Sequence, residues 1–378
     1  MNRMHSVFLL DYTLRSAQGD LQKTLEAVRN NNISIASKEV ETLDTIIKIP
    51  YFVLDENLSE SMEKIKLAIK KEVQKILGNL SSKEREQTAL LVGTSLVDQN
   101  IVEAVESTVY DYKKRAYKSA KKSIDIFADE ISKELGLNPF TMTISTACTS
   151  SVNALLEARN LIQSGVVEYA VVVGVEIFSQ MMSNGFSSMK LLSSDLQRPF
   201  DLKRDGLVLG EAIAAVLVGS RESKWSIMGG YSNCNSFNIT SVSPTGEEYA
   251  EVMQEAMYLS GIGPKDITLL KAHATSTPTN DMSEIHAIKE IFEPSLLFTA
   301  FKPYLGHTLG ACGVLELALL MVSIDNGFIP KTLNHKESII DEYRPLQENY
   351  SCDSGIFMLN YFGFGGNNTS IIIQKERS

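Results

Sequence analysis

Short apolar, β-branched runs alternate with segments of helical periodicity along most of this chain. The apolar runs predict strands at residues 6–10, 89–93, 141–146, 169–174, 212–218, 227–231, 267–272, 297–300, 355–360 and 369–374. Helical periodicity with a polar face marks residues 60–77 and 113–135. Strands that are apolar at successive positions are buried on both faces, and their alternation with helices is typical of α/β folds. The pattern therefore predicts sheets covered by helices.

The chain is long enough for two units. At 378 residues it fits two domains of about 150–200 residues each. A faint internal repeat supports this division, since a reactive loop leads into a predicted helix at residues 150–163 and again at residues 309–324. We therefore expect an N-terminal half over residues 1–220 and a C-terminal half over residues 221–378.

Composition and charge limit the classes of partner and location. The net charge of −10 argues against broad nucleic-acid binding, which needs a basic surface. No run of about 18 apolar residues occurs, so no membrane span is expected, and the apolar stretch ahead of Asp11 is too short for a signal peptide. The cysteines are far apart and lack zinc spacing, so we expect reduced thiols in a cytoplasm. They are Cys148, Cys234, Cys312 and Cys352.

Cys148 lies between a predicted strand and the first turn of a predicted helix, in the run STACTSS at residues 145–151. Backbone N–H groups and the positive end of the helix dipole act on such a thiol, and both favour thiolate over thiol. A free cysteine is more often a small buried apolar residue. Its small neighbours leave room for a substrate, and N–H groups at the junction can bind an oxyanion, so we interpret Cys148 as a nucleophile.

Two of the five histidines have a comparable setting. His273 ends an apolar strand and enters a Thr/Ser/Pro loop, and His307 follows a glycine just before a predicted helix. Sites in α/β folds assemble where strands end. The other three, His5, His286 and His335, lack such a context and receive no role.

A nucleophilic cysteine with two histidines differs from a protease site, in which one histidine is the base and a polar side chain orients it. Two neutral imidazoles can instead donate hydrogen bonds to a thioester carbonyl oxygen as it becomes an enolate. This combination indicates carbon–carbon bond formation.

Two further features accompany these residues. The loop GFGGNN at residues 363–368 places three glycines around Phe364, as expected of either a tight turn or a gating loop whose N–H groups approach a ligand. The predicted helix at residues 309–324 is nearly all apolar apart from Glu316. A buried carboxylate needs a partner, and Lys302 is the natural candidate.

These segments resemble the β-ketoacyl-acyl carrier protein synthases, specifically the elongating Cys-His-His type of the thiolase-like superfamily. The resemblance rests on motifs that occur in the family's order: TACTS at 146–150, RPFD with RDG and GE between 198 and 211, AHATSTP at 272–278, the Lys, Gly-His and Glu spacing from 302 to 316, and FGFGG at 362–366. It runs from residue 141 to the C-terminus, whereas the first 140 residues match poorly.

The resemblance implies an α/β fold, a thiolase-like αβαβα layered sandwich of two related halves. It implies an acyltransferase that condenses an acyl-Cys intermediate with malonyl-acyl carrier protein in fatty acid, polyketide or polyene biosynthesis. Acyl carrier protein would be the partner, and the enzyme would work as a homodimer or as a heterodimer with a related subunit. No metal or redox cofactor is implied.

The family's residue roles carry over onto matching positions. Cys148 would take the acyl group, and the Cys148 and Phe364 N–H groups would form the oxyanion hole, with Phe364 as the gate. His273 and His307 would assist decarboxylation and stabilise the enolate. The charged and supporting positions would be Lys302, Glu316, Thr275 and Thr277.

Two positions depart from the family pattern. Ala274 stands where the family usually has Gly, and Asn367 stands where Thr usually follows the double glycine. Ala274 must then adopt a negative φ or accept strain. The N-terminal third lacks the usual Gly-rich opening, so acyl chain length, saturation and pathway stay open.

Other members of the superfamily remain alternatives. A chain-length-setting partner subunit resembles a synthase but typically loses the nucleophile, which is intact here. A thiolase has a second cysteine near a Gly-Gly, but residues 365–366 have none beside them and Cys352 is too far upstream. Starter-type synthases use Cys-His-Asn, which His307 disfavours, although Asn367 and Asn368 require comparison with the structure.

Acyl carrier proteins are acidic, so a chain of net charge −10 needs a local basic patch to bind one. Two basic clusters are candidates, and an ordinary solvated helix face is the alternative for each. The first basic cluster comprises Lys64, Lys66, Lys70, Lys71 and Lys75. The second basic cluster comprises Lys113, Lys114, Arg115, Lys118, Lys121 and Lys122.

Overall fold

The computed structural model describes residues 6–42, 45–54, 58, 61–95, 110–111, 116–117, 125–234 and 242–377. The strands in these ranges are β1 (Val7–Ser16), β2 (Gly19–Asp20), β3 (Ala36–Glu41), β4 (Ile46–Phe52), β5 (Thr88–Gly93), β6 (Tyr110–Asp111), β7 (Ala116–Tyr117), β8 (Thr141–Ile144), β9 (Tyr169–Glu176), β10 (Leu209–Gly210), β11 (Ala212–Gly219), β12 (Trp225–Cys234), β13 (Leu269–Lys271), β14 (Phe298–Thr299), β15 (Phe328–Ile329), β16 (Tyr350–Ser351), β17 (Gly355–Phe362) and β18 (Asn367–Lys375). The α-helices are α1 (Leu21–Arg29), α2 (Met62–Ile76), α3 (Ser82–Glu86), α4 (Asp125–Leu135), α5 (Ser150–Gln163), α6 (Gln180–Ser188), α7 (Glu247–Ser260), α8 (Pro278–Ile291), α9 (Lys302–Leu305) and α10 (Cys312–Asp325).

One large sheet contains most of these strands, in the order β14-β13-β17-β18-β12-β1-β11-β9-β5-β8, with β2 paired to β1. From either outer edge, the first two pairings are parallel and the next two are antiparallel. The two ends of the sheet therefore repeat one topology, and they meet where β1 pairs with β12. This repetition is the expected signature of two related halves. The exact boundary at residue 220 stays a prediction.

The helices lie in three layers. One layer lies between the two ends of this sheet, and one layer covers the outer face of each end. Helices α5 and α10 pack against each other in the middle layer. Helices α2 and α4 pack on the end that contains β5 and β11. Helix α7 packs on β12 and β18 and also contacts α8. Every residue of α10 except Asp325 is buried, as expected of a helix that is apolar on all sides. The predicted αβαβα sandwich is confirmed.

Each predicted strand overlaps an observed one, with shifts at the ends. The predicted helix over residues 113–135 is wrong in part, because β7 occupies residues 116–117 and the described helix α4 begins at Asp125. Residues 112–115 and 118–124 lie outside the described part of the chain. Helix 309–324 also begins differently, with a 3-10 turn over Leu309–Ala311 ahead of α10.

The hairpin of β3 and β4 is absent from the sequence predictions. It forms a small sheet with β10. Its first strand has the sequence ASKEVE, and only Val40 in it is buried, so the chain carries no apolar alternation that marks a strand here. Among the helices that the structure describes, none is long and apolar enough to cross a membrane.

Candidate active site

Cys148 lies in the turn between β8 and α5, two residues ahead of the helix. The N–H groups of Thr149 and Ser150 donate to the carbonyls of Thr146 and Ala147, at 3.2 Å each. Ala147 has a φ of 53°, a conformation that costs an L-residue about 1–2 kcal/mol. This strained turn places the cysteine side chain in a buried cavity where β8 ends.

Side chains from three distant segments meet in this cavity. The Sγ of Cys148 lies 3.2 Å from Nε2 of His307. The rings of His273 and His307 have centroids 5.4 Å apart and planes at 83°. All three residues are buried. Other predicted residues that line the same cavity are Thr275, Thr277 and Phe364.

Lys302 connects His273 to a buried carboxylate. Its Nζ lies 3.3 Å from Nδ1 of His273 and donates to Oε1 of Glu316 at 3.0 Å. An ammonium group has donors and no acceptor, so this contact leaves the His273 ring proton on Nε2. Glu316 is therefore buried and paired with Lys302, as its position in an apolar helix required.

The site keeps both imidazoles neutral. Burial lowers the pKa of His273 and that of His307 well below the ordinary value, and the nearby Lys302 charge lowers both further. Burial also disfavours the charged form of Lys302, but the Glu316 carboxylate outweighs it and the net pKa of Lys302 is raised. A charged ammonium therefore stands beside two neutral rings at neutral pH.

Burial opposes the preference for thiolate that the helix junction gives Cys148. Burial raises the pKa of its thiol to about 12 and outweighs the Lys302 charge and the N–H groups of Phe364 and Cys148, which lower it. The helix N-terminus cannot replace the hydration that a fully buried sulfur anion loses. The resting site therefore holds a thiol, and His307 Nε2 is within reach of its proton.

We expect the alkylation of Cys148 by iodoacetamide to accelerate about tenfold per pH unit between about pH 7 and pH 10. The thiolate is the reactive form, and its fraction keeps rising until the pH approaches the raised pKa. Peptide mapping by mass spectrometry separates Cys148 from the other three cysteines, with glutathione as a small-molecule reference. A Cys148 rate that levels off alongside glutathione would contradict the raised pKa.

The predicted gate packs against both the cysteine turn and a neighbouring helix. Phe364 stacks on Phe186 of α6, with ring centroids 5.5 Å apart. The following residues, Gly365 and Gly366, have φ values of 79° and 82°, which explains glycine at both.

The Cys-His-Asn alternative would need an asparagine in the place of His307. The side chain of Asn368 instead donates to Asn233. Neither Asn367 nor Asn368 is among the residues that line the cavity, so neither supplies the asparagine of a Cys-His-Asn site.

Ala274 adopts the strained alternative, with a φ of 50° in a fully buried position. The Glu284 carboxylate accepts the N–H groups of His273 and Ala274 at 2.7 Å each and so supports the loop. Burial raises the pKa of Glu284 to about 7 despite these two donors.

We expect Ala274→Gly to be less destabilising than Ala272→Gly by about 1–2 kcal/mol in the free energy of unfolding. Both variants lose one buried methyl group, but only position 274 releases a positive φ. Urea unfolding of the two variants measures this difference. Equal losses would show that the loop carries no strain at position 274.

Lys271, Asp281 and Glu284 belong to the site but were missed in the sequence. Lys271 is fully buried and pairs with Glu316. Asp281 accepts the N–H groups of Ser276 and Phe200, at 3.0 and 2.8 Å. A lysine inside an apolar strand, two positions before His273, was the available signal for Lys271. The described residues contain no group of three His, Cys, Asp or Glu side chains that could hold a metal ion.

The first basic cluster is largely compensated by carboxylates. Ion pairs join Lys66 to Glu63, Glu130 and Glu134, Lys70 to Glu134, and Lys75 to Glu72. This favours a solvated, internally paired helix face over a docking surface. The second basic cluster lies outside the described residues.

Two family models match this chain. The model described as "Beta-ketoacyl synthase, N-terminal domain" matches residues 20–224, and "Beta-ketoacyl synthase, C-terminal domain" matches residues 226–336. The chain belongs to the β-ketoacyl synthase family. The resemblance drawn from the motifs is thereby confirmed, and the N-terminal match extends well ahead of residue 141.

Curated relatives of this member of the β-ketoacyl synthase family include 3-oxoacyl-[acyl-carrier-protein] synthase 2 of Staphylococcus aureus, which is 31% identical over 276 residues. That match covers 66% of this chain and 65% of the relative's length. The mitochondrial 3-oxoacyl-[acyl-carrier-protein] synthase of Arabidopsis thaliana is 29% identical over 318 residues, which cover 76% of this chain and 68% of the relative.

Solved structures share the fold over the full chain. A ketosynthase in complex with its chain length factor from Xenorhabdus doucetiae superposes with a TM-score of 0.83 at 23% identity, covering 100% of this chain and 99% of that chain. A β-ketoacyl synthase from Burkholderia phymatum gives 0.82 at 23% identity, covering 99% and 100%. These similarities show that this family member has the thiolase-like fold.

Proposed function

We propose that this chain is a β-ketoacyl-acyl carrier protein synthase, an acyltransferase that joins an acyl group held on Cys148 to malonyl-acyl carrier protein. The observation that carries this proposal is the 3.2 Å approach of the Cys148 sulfur to His307, with the His273 ring beside it. A thiol and two neutral imidazoles in one buried cavity suit decarboxylative Claisen condensation better than hydrolysis. Family membership supports the same reaction.

The first half-reaction is acyl transfer. The Cys148 sulfur attacks the carbonyl carbon of a carrier-bound thioester, and its proton passes to Nε2 of His307. The carbon–sulfur bond to the carrier breaks, and the departing thiolate takes that proton. The N–H groups of Cys148 and Phe364 both interact with the sulfur, so they are placed to stabilise the oxyanion that forms beside it.

The second half-reaction forms the carbon–carbon bond. His273 and His307 donate N–H bonds to the thioester oxygen of malonyl-carrier protein while its carboxylate leaves as CO2. The electron pair of the broken bond forms an enolate, which attacks the acyl carbon and releases the Cys148 sulfur. Within the described residues, Nδ1 of His307 meets no hydrogen-bond partner, so that ring can carry its proton on either nitrogen in the two half-reactions.

The test is to supply the purified chain alone with acyl- and malonyl-loaded acyl carrier protein. We expect CO2 release and a β-ketoacyl product extended by two carbons, both detected by mass spectrometry. No product from correctly folded chain, with or without a related subunit, would contradict the proposed reaction.

A second candidate is a subunit that works only beside a related synthase. Similar folds include ketosynthases in complex with chain length factors. Activity that appears only after a related subunit is added would favour this arrangement over a homodimer. The intact Cys148 and both histidines argue against a purely non-catalytic partner.

We also propose that this protein works in the cytoplasm.

A further inference from the structure

Lys271 is a second buried lysine behind the active site. It lies on β13, two residues ahead of His273, and is fully buried. Its Nζ donates to Oε2 of Glu316 and to the carbonyl oxygen of Asn360, the latter at 2.7 Å. The same ammonium lies 3.6 Å from the centroid of the Tyr361 ring. These three contacts favour a cation, while burial and the nearby Lys302 charge act against it and lower the pKa of Lys271.

Glu316 is consequently shared by two lysines. Its Oε1 accepts from Lys302 at 3.0 Å, while its Oε2 accepts from Lys271. With both ammonium groups charged, two cations and one carboxylate leave a single net positive charge. In a simple Lys302–Glu316 pair the two charges would cancel.

We propose that Lys271 is a positioning residue for the condensation reaction. It holds the second oxygen of Glu316, so that Lys302 stays directed at His273 and the buried lysine–glutamate–lysine trio keeps one positive charge beside Cys148 and the imidazoles. The assignment rests on the proposed function for its role in catalysis. The geometric and electrostatic claim can be tested without turnover.

The Lys271 charge acts on both histidines of the cavity. After burial and the larger effect of Lys302, it contributes to lowering the pKa of His273 and of His307. Other titratable groups that interact with the trio are Cys148, Cys312, Glu284 and Tyr361. Without Lys271, Glu316 can turn both oxygens to Lys302 and neutralise it. Thiolate formation at Cys148 then becomes harder, and the imidazoles take up protons at higher pH.

The first test compares Lys271→Met with Lys375→Met. Lys375 is a matched control, because it is also buried, pairs with Asp325 and lies over the Trp225 ring, away from the active site. In Lys271→Met we expect Cys148 alkylation at pH 8 to slow about fivefold, from a thiol pKa higher by about 0.7 unit. The acid limb of malonyl decarboxylation should move to higher pH by a similar amount. Lys375→Met should change neither quantity.

The second test varies the charge of the trio. With the lysines protonated, Glu316→Gln carries two positive charges, Lys271→Met with Glu316→Gln carries one, and Lys271→Met alone carries none. We expect the alkylation rate of Cys148 to follow that order, with the double variant close to the wild type. Lys271→Met keeps the Lys302–Glu316 pair and is the variant expected to fold best, whereas Glu316→Gln and the double variant leave a buried lysine without its carboxylate.

The assignment is overturned if Lys271→Met alkylates at the wild-type rate with an unmoved acid limb, or if the double variant reacts at less than half the wild-type rate. Alkylation needs no carrier protein. A chain that fails to condense but follows the expected order would therefore contradict the proposed function and leave the Lys271 assignment standing.

Discussion

Replacing Cys148 by alanine is expected to abolish condensation while malonyl-carrier protein decarboxylation remains measurable. Without the sulfur no acyl-enzyme forms, and loss of a nucleophile typically costs at least about 10³-fold in rate. The imidazoles that polarise the malonyl thioester come from other segments, at His273 and His307, and stay in place. Product mass spectrometry and CO2 release, measured on the same sample, separate the two activities.

The matched control for this variant is Cys352→Ala. Cys352 is also buried, but its sulfur donates to the carbonyl oxygen of Ser354, away from the cavity. Cys352→Ala should retain both activities. Condensation by Cys148→Ala at more than a few per cent of the wild-type rate would show that Cys148 is not the nucleophile.

His273→Ala and His307→Ala are each expected to slow malonyl decarboxylation by about 10²–10³-fold, because each removes a donor to the developing enolate oxygen. The two variants should differ in the first half-reaction. His307 contacts the Cys148 sulfur at 3.2 Å, whereas His273 receives its hydrogen bond from Lys302. Transfer of an acyl group to Cys148 should therefore slow more in His307→Ala than in His273→Ala.

The control for the histidine pair is His286→Ala. His286 lies on α8 with its Nδ1 2.9 Å from the carbonyl oxygen of Pro244, outside the cavity. Its removal should leave both half-reactions unchanged. If His273→Ala and His307→Ala decarboxylate at the wild-type rate, enolate stabilisation must come from other groups.

Local patterns in the sequence were sufficient for ten strands of the large sheet and for the order of the motifs. The apolar runs of β9 and β11 are buried at every position, so strand and burial coincide in one local signal. The strand β3 lacks that signal, since ASKEVE is mostly polar and exposed, whereas the apolar run of β4, IIKIPYF, is interrupted by Lys48 and Pro50. Strands of mixed polarity are recognisable only once their neighbours are known.

Local sequence patterns did not predict the protonation states of the site residues. The position of Cys148 before a helix suggested a thiolate, but full burial by distant segments raises the pKa of the thiol to about 12. Lys271 and Glu316 are 45 positions apart in sequence. No spacing rule links them. The sharing of the Glu316 carboxylate by two lysines is therefore recognisable only in the structure.

The amino-acid order alone determined which side chains could perform the chemistry and which of them lie at the ends of strands or the starts of helices, since periodicity and helix junctions are short-range properties. Tertiary structure decided their protonation, their mutual distances and the extra lysine behind them. The physical reason is that hydration and Coulomb interactions depend on what surrounds a group in space, and these neighbours come from opposite halves of the polypeptide.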